Sequence, residues 1–294
     1  MQYEVESSIK VLASEGAFSV PDRQSRNKWD GPWWHMAILC EIGEADKIPR
    51  SAVEQTSRQL NQGAWPKFVI KEEDAPQNED DKAKMDCCHC ELGVFYMALS
   101  ACGCDVDEEL SWIREWFLRH QLPDGGLNCD PGANLNSRKS SIVSSLPPLE
   151  AALRFTRRNY TKTEARFLDE GARYLIEHRL VCSKKTGRVL NGEWLKPFSP
   201  RFFEYEILRG MYYLVEWSKR RNKPLPAEVI EEGLDRLKRY TRESGVVIGR
   251  QVNDKNGDWH EDAFPLMIEV GKVGQTSKHL TKQLDTVLRA VRGA

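Results

Sequence analysis

A glycine followed two positions later by a hydrophobic residue occurs at five regularly placed points: Gly16-Ala17-Phe18, Gly63-Ala64-Trp65, Gly125-Gly126-Leu127, Gly187-Arg188-Val189 and Gly245-Val246-Val247. Their first glycines lie 47, 62, 62 and 58 residues apart, too regular for scattered loops and too long for a short solenoid repeat. Each copy closes one helical pattern and precedes another. Before the third copy, Leu110, Ile113, Trp116, Phe117 and His120 fall at three- and four-residue spacings, the single apolar stripe of a helix packed on one face. After each copy comes a polar loop and then a helix apolar nearly all round: approximately Trp33 to Ile42, Cys88 to Cys102, Ser140 to Phe155, Phe202 to Trp217, and Thr276 to Val291. A helix apolar on most faces is buried on most faces.

The connections alternate in length. Gln62 to Met85 and Leu122 to Arg138 are long links within a pair, whereas Gly43 to Arg50, Gly103 to Asp107 and Asn159 to Thr163 are short links between pairs. Short turns join antiparallel neighbours, so every long loop emerges on one face, where repeat proteins keep their binding groups. No strand pattern competes, since Phe68 to Ile70 and Gly245 to Gly249 are too brief for a sheet. The expected fold is all-α, in a single domain over residues 1–294. Lysine and arginine number 43 against 44 acidic residues, so no global field favours nucleic acid or an anionic membrane. No stretch approaches the roughly 20 apolar residues of a membrane span, and Met1 to Glu6 does not read as a secretory leader. With Cys87, Cys88 and Cys90 crowded together, the eight cysteines read as thiols in a reducing cytoplasm rather than as disulfide staples.

The alternation of outer and inner helices, with Gln121-Leu122-Pro123-Asp124-Gly125-Gly126-Leu127 at one junction, resembles the terpenoid cyclase and protein prenyltransferase superfamily. That family repeats a Gln, Asp-Gly-Gly and aromatic motif at this junction. The resemblance implies an α/α toroid, here of about five outer/inner helix pairs, around a central cavity that takes an isoprenoid, peptide or other small molecule. The Asp-x-Asp-Asp acid of squalene-type cyclases is absent, and Glu79-Asp80-Asp81 lacks its spacing, so alkene protonation is not expected. Protein prenyltransferases hold zinc with Asp, Cys and His, types that Asp86-Cys87-Cys88-His89-Cys90 supplies in a different arrangement. The adjacent Cys88-His89 pair also resembles that of the lanthionine synthetase cyclases, another toroid family that holds zinc with one further cysteine; here Cys90 follows where they have glycine.

On a helix, residues 87 and 90 share a face, so the cluster needs a ligand from another loop, and Cys129 is the candidate. Cys87, His89, Cys90 and Cys129 are thus the expected ligands, and zinc the ion that thiolate and imidazole suit. A thiol nucleophile with His89 or His35 as base is an alternative; ordinary packing of small apolar cysteines is another. The same rim should carry Trp33, Trp34, Phe203 and Tyr205 as apolar walls and Arg138, Lys139 and Ser140 as an anion-binding helix start. Spacing pairs Glu206 with Arg209, leaving Glu204 as a cavity-facing general acid. Asn253 to Asp258 superficially resembles a calcium loop but has no glutamate at the twelfth position. Three functions compete: a metal-assisted enzyme acting on an isoprenoid, peptide or thiol-bearing substrate; a carbohydrate-active toroid using Glu204 with Asp258 or Asp262; and a non-catalytic ligand-binding module.

Overall fold

The computed structural model describes residues 1–18, 31–61, 88–130, 132–251 and 264–293, without the side chains of Asn134 and Leu135. Among these residues the protein is mainly helical: α1 (Gln2–Ala13), α2 (Pro32–Glu41), α3 (Arg50–Asn61), α4 (His89–Ala101), α5 (Val106–Glu109), α6 (Trp112–Arg119), α7 (Ile142–Phe155), α8 (Lys162–Glu177), α9 (Ile207–Arg221), α10 (Ala227–Leu237), α11 (Pro265–Val270) and α12 (Lys278–Arg292). The only paired strands among them are Thr241–Arg242 and Gly245–Val246. No helix among the described residues is long and apolar enough to cross a membrane.

The glycine markers have a structural cause. Gly16, Gly125, Gly187 and Gly245 have φ of 77°, 101°, 65° and 117°, in the left-handed region where a Cβ is disfavoured; Gly63 lies outside the described residues. The turn sends the residue two positions on back toward the protein. Leu127, Val189 and Val247 each form an isolated antiparallel bridge, to Ser141, Cys182 and Thr276. Ser141 caps α7 and Thr276 immediately precedes the cap of α12, so in those copies the marker fastens the end of an outer helix to the start of an inner one.

The apolar helices pack on one another in chain order, α2 on α4, α4 on α7, α7 on α9 and α9 on α12, while α1, α8 and α10 cover α2, α7 and α9. Short α11 packs on α1, bringing the last part of the chain back to the first. The α4–α7 crossing is the closest: a Cβ added to Gly93 would sit 2.5 Å from the Pro147 carbonyl carbon.

Four apolar helices begin within two residues of their sequence-based starts, but the fourth does not. Residues 202–206 precede α9 and are not helical; Phe202 has φ of 47°, and Glu206 caps the helix by accepting from Leu208 N and Arg209 N, each at 2.8 Å. Glutamate is not a usual cap, and the preceding aromatics carried the apolar pattern past the true boundary. The segment instead runs along the inside of α2. The Arg201 amide donates to Glu41 at the C-terminal end of α2 (2.8 Å), while Phe202 and Phe203 lie 5.0 and 6.0 Å from Trp34 near its start. Those ends are roughly 10 Å apart at 1.5 Å per residue. The segment thus packs along α2 from its C-terminal end to its first turn.

Candidate functional site

The Gln121 to Leu127 motif builds the third junction. Gln121 Nε2 donates to Gly125 O (2.8 Å) and to Phe167 O (2.9 Å) on α8. Asp124 reaches forward: its carboxylate accepts from Ser140 N at 2.9 Å, from the Ser140 hydroxyl and from Gly126 N at 3.4 Å. The Ser145 hydroxyl accepts from Leu127 N (2.7 Å), and Ser144 Oγ accepts from Cys129 N (3.1 Å). The loop after the motif is thereby tied to the first turn of α7, with Cys129 in a fixed place. Replacing Asp124 with alanine should cost about 1.5–3 kcal/mol, the usual value of hydrogen bonds to a charged group. Urea midpoints measure this, with Asp124→Asn expected to lose less.

That arrangement corrects the expectation of an anion site at Arg138, Lys139 and Ser140. The Ser140 amide and hydroxyl already bind the protein's own Asp124 carboxylate. Arg138 and Lys139 are solvent-exposed, Arg138 with a left-handed φ of 50°.

Cys88, Cys90 and Cys129 bring their sulfurs within 4.8 Å of one another, with 3.5 Å between Cys90 and Cys129. Zinc–sulfur bonds of about 2.3 Å in a tetrahedron require sulfurs roughly 3.8 Å apart, so the three thiols match a thiolate metal site with small adjustments. Their protonation is shared. Contact with the Cys88 and Cys90 thiols pushes the titration of Cys129 down, while contact with Cys129 and burial push Cys88 and Cys90 up. A divalent cation would replace those protons, as thiolate ligation requires.

Among the described residues the cluster gains Cys88 and lacks His89, while Cys87 lies outside them. Cys88 is the non-helical cap of α4, with φ −68° and ψ 66°, so the helical rule that paired residues 87 and 90 does not apply at this position. Cys88 and Cys90 point to Cys129, and His89 points away. Its Nδ1 accepts from Trp116 Nε1 at 3.0 Å, its ring lies 5.5 Å from that of His120, and its Nε2 is buried without a hydrogen-bond partner among the described residues. Burial lowers the pKa of His89 to about 4, against a smaller opposite pull from Cys129, so the ring is neutral near pH 7. Asp86 and Cys87 lie outside the described residues.

The remaining expected site residues are distributed through the interior. His35 is buried on α2, its Nδ1 3.0 Å from the Ser8 hydroxyl and its ring 3.9 Å from that of Phe264, with its pKa lowered to about 4 by burial. Trp33 and Trp34 are core residues, Trp33 edge-on to Phe18 and Phe95 at 6.4 Å. Phe203 is half-buried beside Trp34, and the Tyr205 hydroxyl donates to Leu180 O at 3.0 Å. Glu204 is ion-paired with Arg250 at 3.0 Å. Its proposed partners Asp258 and Asp262, like Asp254, His260 and Glu261, lie outside the described residues. Glu206 does not pair with Arg209: it caps α9 and meets Arg201 at 3.1 Å, while Arg209 reaches across to Glu150 on α7 at 2.6 Å.

A group that sequence reasoning missed surrounds a cavity of about 150 Å³. Glu41, Glu150, Arg154, Arg201, Arg209 and His279 line it, at the C-terminal halves of α2 and α7 and the first turns of α9 and α12. Its outer edge is at exposed Ala101 and half-buried Phe155. The signal in the sequence is the presence of glutamate and arginine inside otherwise apolar helices, as at Glu41, Glu150, Arg154 and Arg209. Comparison with protein-family models, curated proteins and solved structures finds no match for this chain, so its geometry carries the functional reading.

Proposed function

We propose that the protein is an α/α toroid carrying a thiolate metal centre of the zinc class at Cys88, Cys90 and Cys129, and that it acts as a metal-assisted enzyme on a thiol-bearing substrate. The observation that carries the metal reading is the convergence of three thiols from two segments 39 residues apart within 4.8 Å. The toroid is supported by the ordered packing of the inner helices and the return of α11 to α1. Cys88, Cys90 and Cys129 would hold the metal, which would supply Lewis acidity that favours the thiolate form of a substrate at neutral pH. Within the protein, Ser144 fixes the Cys129 backbone, the α4 cap sets Cys88 and Cys90, and the His89–Trp116–His120 stack packs behind them. A cluster of reduced cysteines also fits a reducing compartment.

Elemental analysis of protein purified without nickel should give about one zinc per chain, and Cys90→Ser or Cys129→Ser should abolish it. Cobalt substitution should add sulfur-to-metal charge-transfer absorption that each variant removes. A folded, fully reduced protein that neither retains zinc nor takes up cobalt would refute the metal centre.

A further inference from the structure

The cavity between α2, α4, α7, α9 and α12 contains a hydrogen-bond imbalance. The two carboxylates that line it, and Glu206 behind Arg201, are all supplied with donors. Glu41 accepts from the Ser199 hydroxyl (2.9 Å) and Arg201 N (2.8 Å); Glu150 accepts from Arg209 Nε (2.9 Å) and Nη2 (2.6 Å); Glu206 accepts two backbone amides and Arg201 Nη1 (3.1 Å). His279 Nε2 lies 2.9 Å from Arg201 Nη2, and burial holds the ring neutral near pH 7.

The donors are in excess. Arg154 Nε and Nη2 and Arg201 Nε are buried and make no hydrogen bond among the described residues. Arg154 Nη2 and Arg201 Nε do lie near carboxylates, 3.1 Å from Glu150 Oε1 and 3.5 Å from Glu41 Oε1, but outside hydrogen-bonding geometry. Arg201 has a side chain only 6 % exposed. Guanidinium groups have donors only, and leaving such donors unpaired in a low-dielectric interior is costly. An acceptor belongs in this space.

We propose that the central cavity binds a small aliphatic carboxylate, with its oxygens held by Arg154 and Arg201. The remaining wall selects the class of anion. Val94, Met97, Ala98 and Phe155 present apolar surface beside the guanidiniums, which suits a short hydrocarbon chain better than a fully hydrated phosphate. The size is also restrictive: a cavity of about 150 Å³ holds a benzene-sized molecule, about six non-hydrogen atoms. Two effects compete over the charge. The C-terminal ends of α2, α4 and α7 each present a partial negative charge of about one half, which opposes an anion but acts only within the last turn. The Arg154, Arg201 and Arg209 guanidiniums carry full charges, one more than Glu41 and Glu150 supply on the same wall. The site is separate from the cysteine cluster, since Cys90 and Ala98 are roughly 12 Å apart along α4.

Titration calorimetry of the full-length protein with butyrate, butyramide and inorganic phosphate at pH 7 tests this. Butyrate should bind with a dissociation constant on the order of 0.1–1 mM, and butyramide at least tenfold more weakly. Arg154→Gln should weaken butyrate binding at least tenfold. Ala98→Leu, which places extra carbon in the cavity without altering a charge, should abolish binding with the thermal midpoint retained, so the test survives if Arg154→Gln fails to fold. Cys129→Ser should bind butyrate normally, which separates this site from the metal centre. No saturable binding of butyrate or valerate to tens of millimolar would overturn the proposal and leave a water-filled cavity. Equal binding of butyramide, or phosphate binding as tight as butyrate, would overturn it too.

Discussion

Arg209→Ala is expected to destabilise the protein by about 3–5 kcal/mol, the usual cost of leaving a buried charge without its partner. The side chain is 5 % exposed, and it serves three acceptors: Glu150 Oε2 through Nε and Nη2, and the carbonyls of Phe202 and Glu204 through Nη1 at 2.9 and 2.7 Å. Burial alone would push the Glu150 carboxyl up, but Arg209 and Arg154 more than offset it and hold it below its ordinary range. Without Arg209 the balance shifts, and Glu150 must take up a proton or remain charged in the interior. The two carbonyls are orphaned as well, so the segment before α9 loses its anchor. The loss is a large fraction of a typical stability of about 5–15 kcal/mol. The second variant isolates the charge: Arg209→Met combined with Glu150→Gln should be more stable than Arg209→Ala by about 1–3 kcal/mol, the range of coupling between contacting residues. Urea unfolding at pH 7 measures both, and a cost below about 1 kcal/mol for Arg209→Ala would mean that water reaches Glu150.

Acid should weaken the fold well before the carboxylates titrate. His35 and His279 have pKa values lowered from 6.5 to about 4, in both cases chiefly by burial, with Arg201 adding to the effect at His279. Above pH 6.5 both residues are neutral in the folded and unfolded chains and contribute no pH dependence. As pH falls below 6.5 the unfolded chain takes up protons that the folded protein refuses, so stability declines until the folded groups also protonate near pH 4. The slope approaches about 1.4 kcal/mol per pH unit for each histidine, and the whole effect is on the order of 3 kcal/mol each. Glu206 acts in the opposite sense, because burial holds its carboxyl above the ordinary range, but it offsets at most one proton. His89, between two cluster cysteines, responds in addition to metal occupancy. Unfolding free energies from pH 7 to 5 should therefore fall steeply, and His35→Gln should lower the slope by close to one proton. A flat profile over that range would contradict the burial of both rings.

The candidate site was legible in the sequence where the relation between residues is local. The Asp124-Gly125-Gly126 turn, the left-handed markers and the burial of four of the five inner helices depend on backbone conformation and periodicity, which short segments specify; α12 instead buries one stripe, Leu280, Gln283, Leu284 and Val287. The cysteine cluster was legible as a cluster but not as a ligand set. Whether Cys88 or His89 faces Cys129 depends on where α4 begins, and a helix boundary shifted by one or two residues rotates a side chain by one hundred degrees or more. Glu204 was misjudged for the same reason: an apolar stretch without a usual cap hid the boundary at Glu206.

The sequence by itself determined an all-helical chain with repeated pairs, buried inner helices and cysteines at the start of one of them. Only the tertiary structure decided that the anion-ready start of α7 is occupied by Asp124, that the segment before α9 packs along α2, and that Glu41, Glu150, Arg154 and Arg201 converge on one cavity. The reason is physical. Helix periodicity is carried by neighbours three and four residues apart, whereas the pairing of Glu150 with Arg209, or Glu41 with Arg201, joins residues far apart in the chain whose meeting depends on how every intervening helix packs.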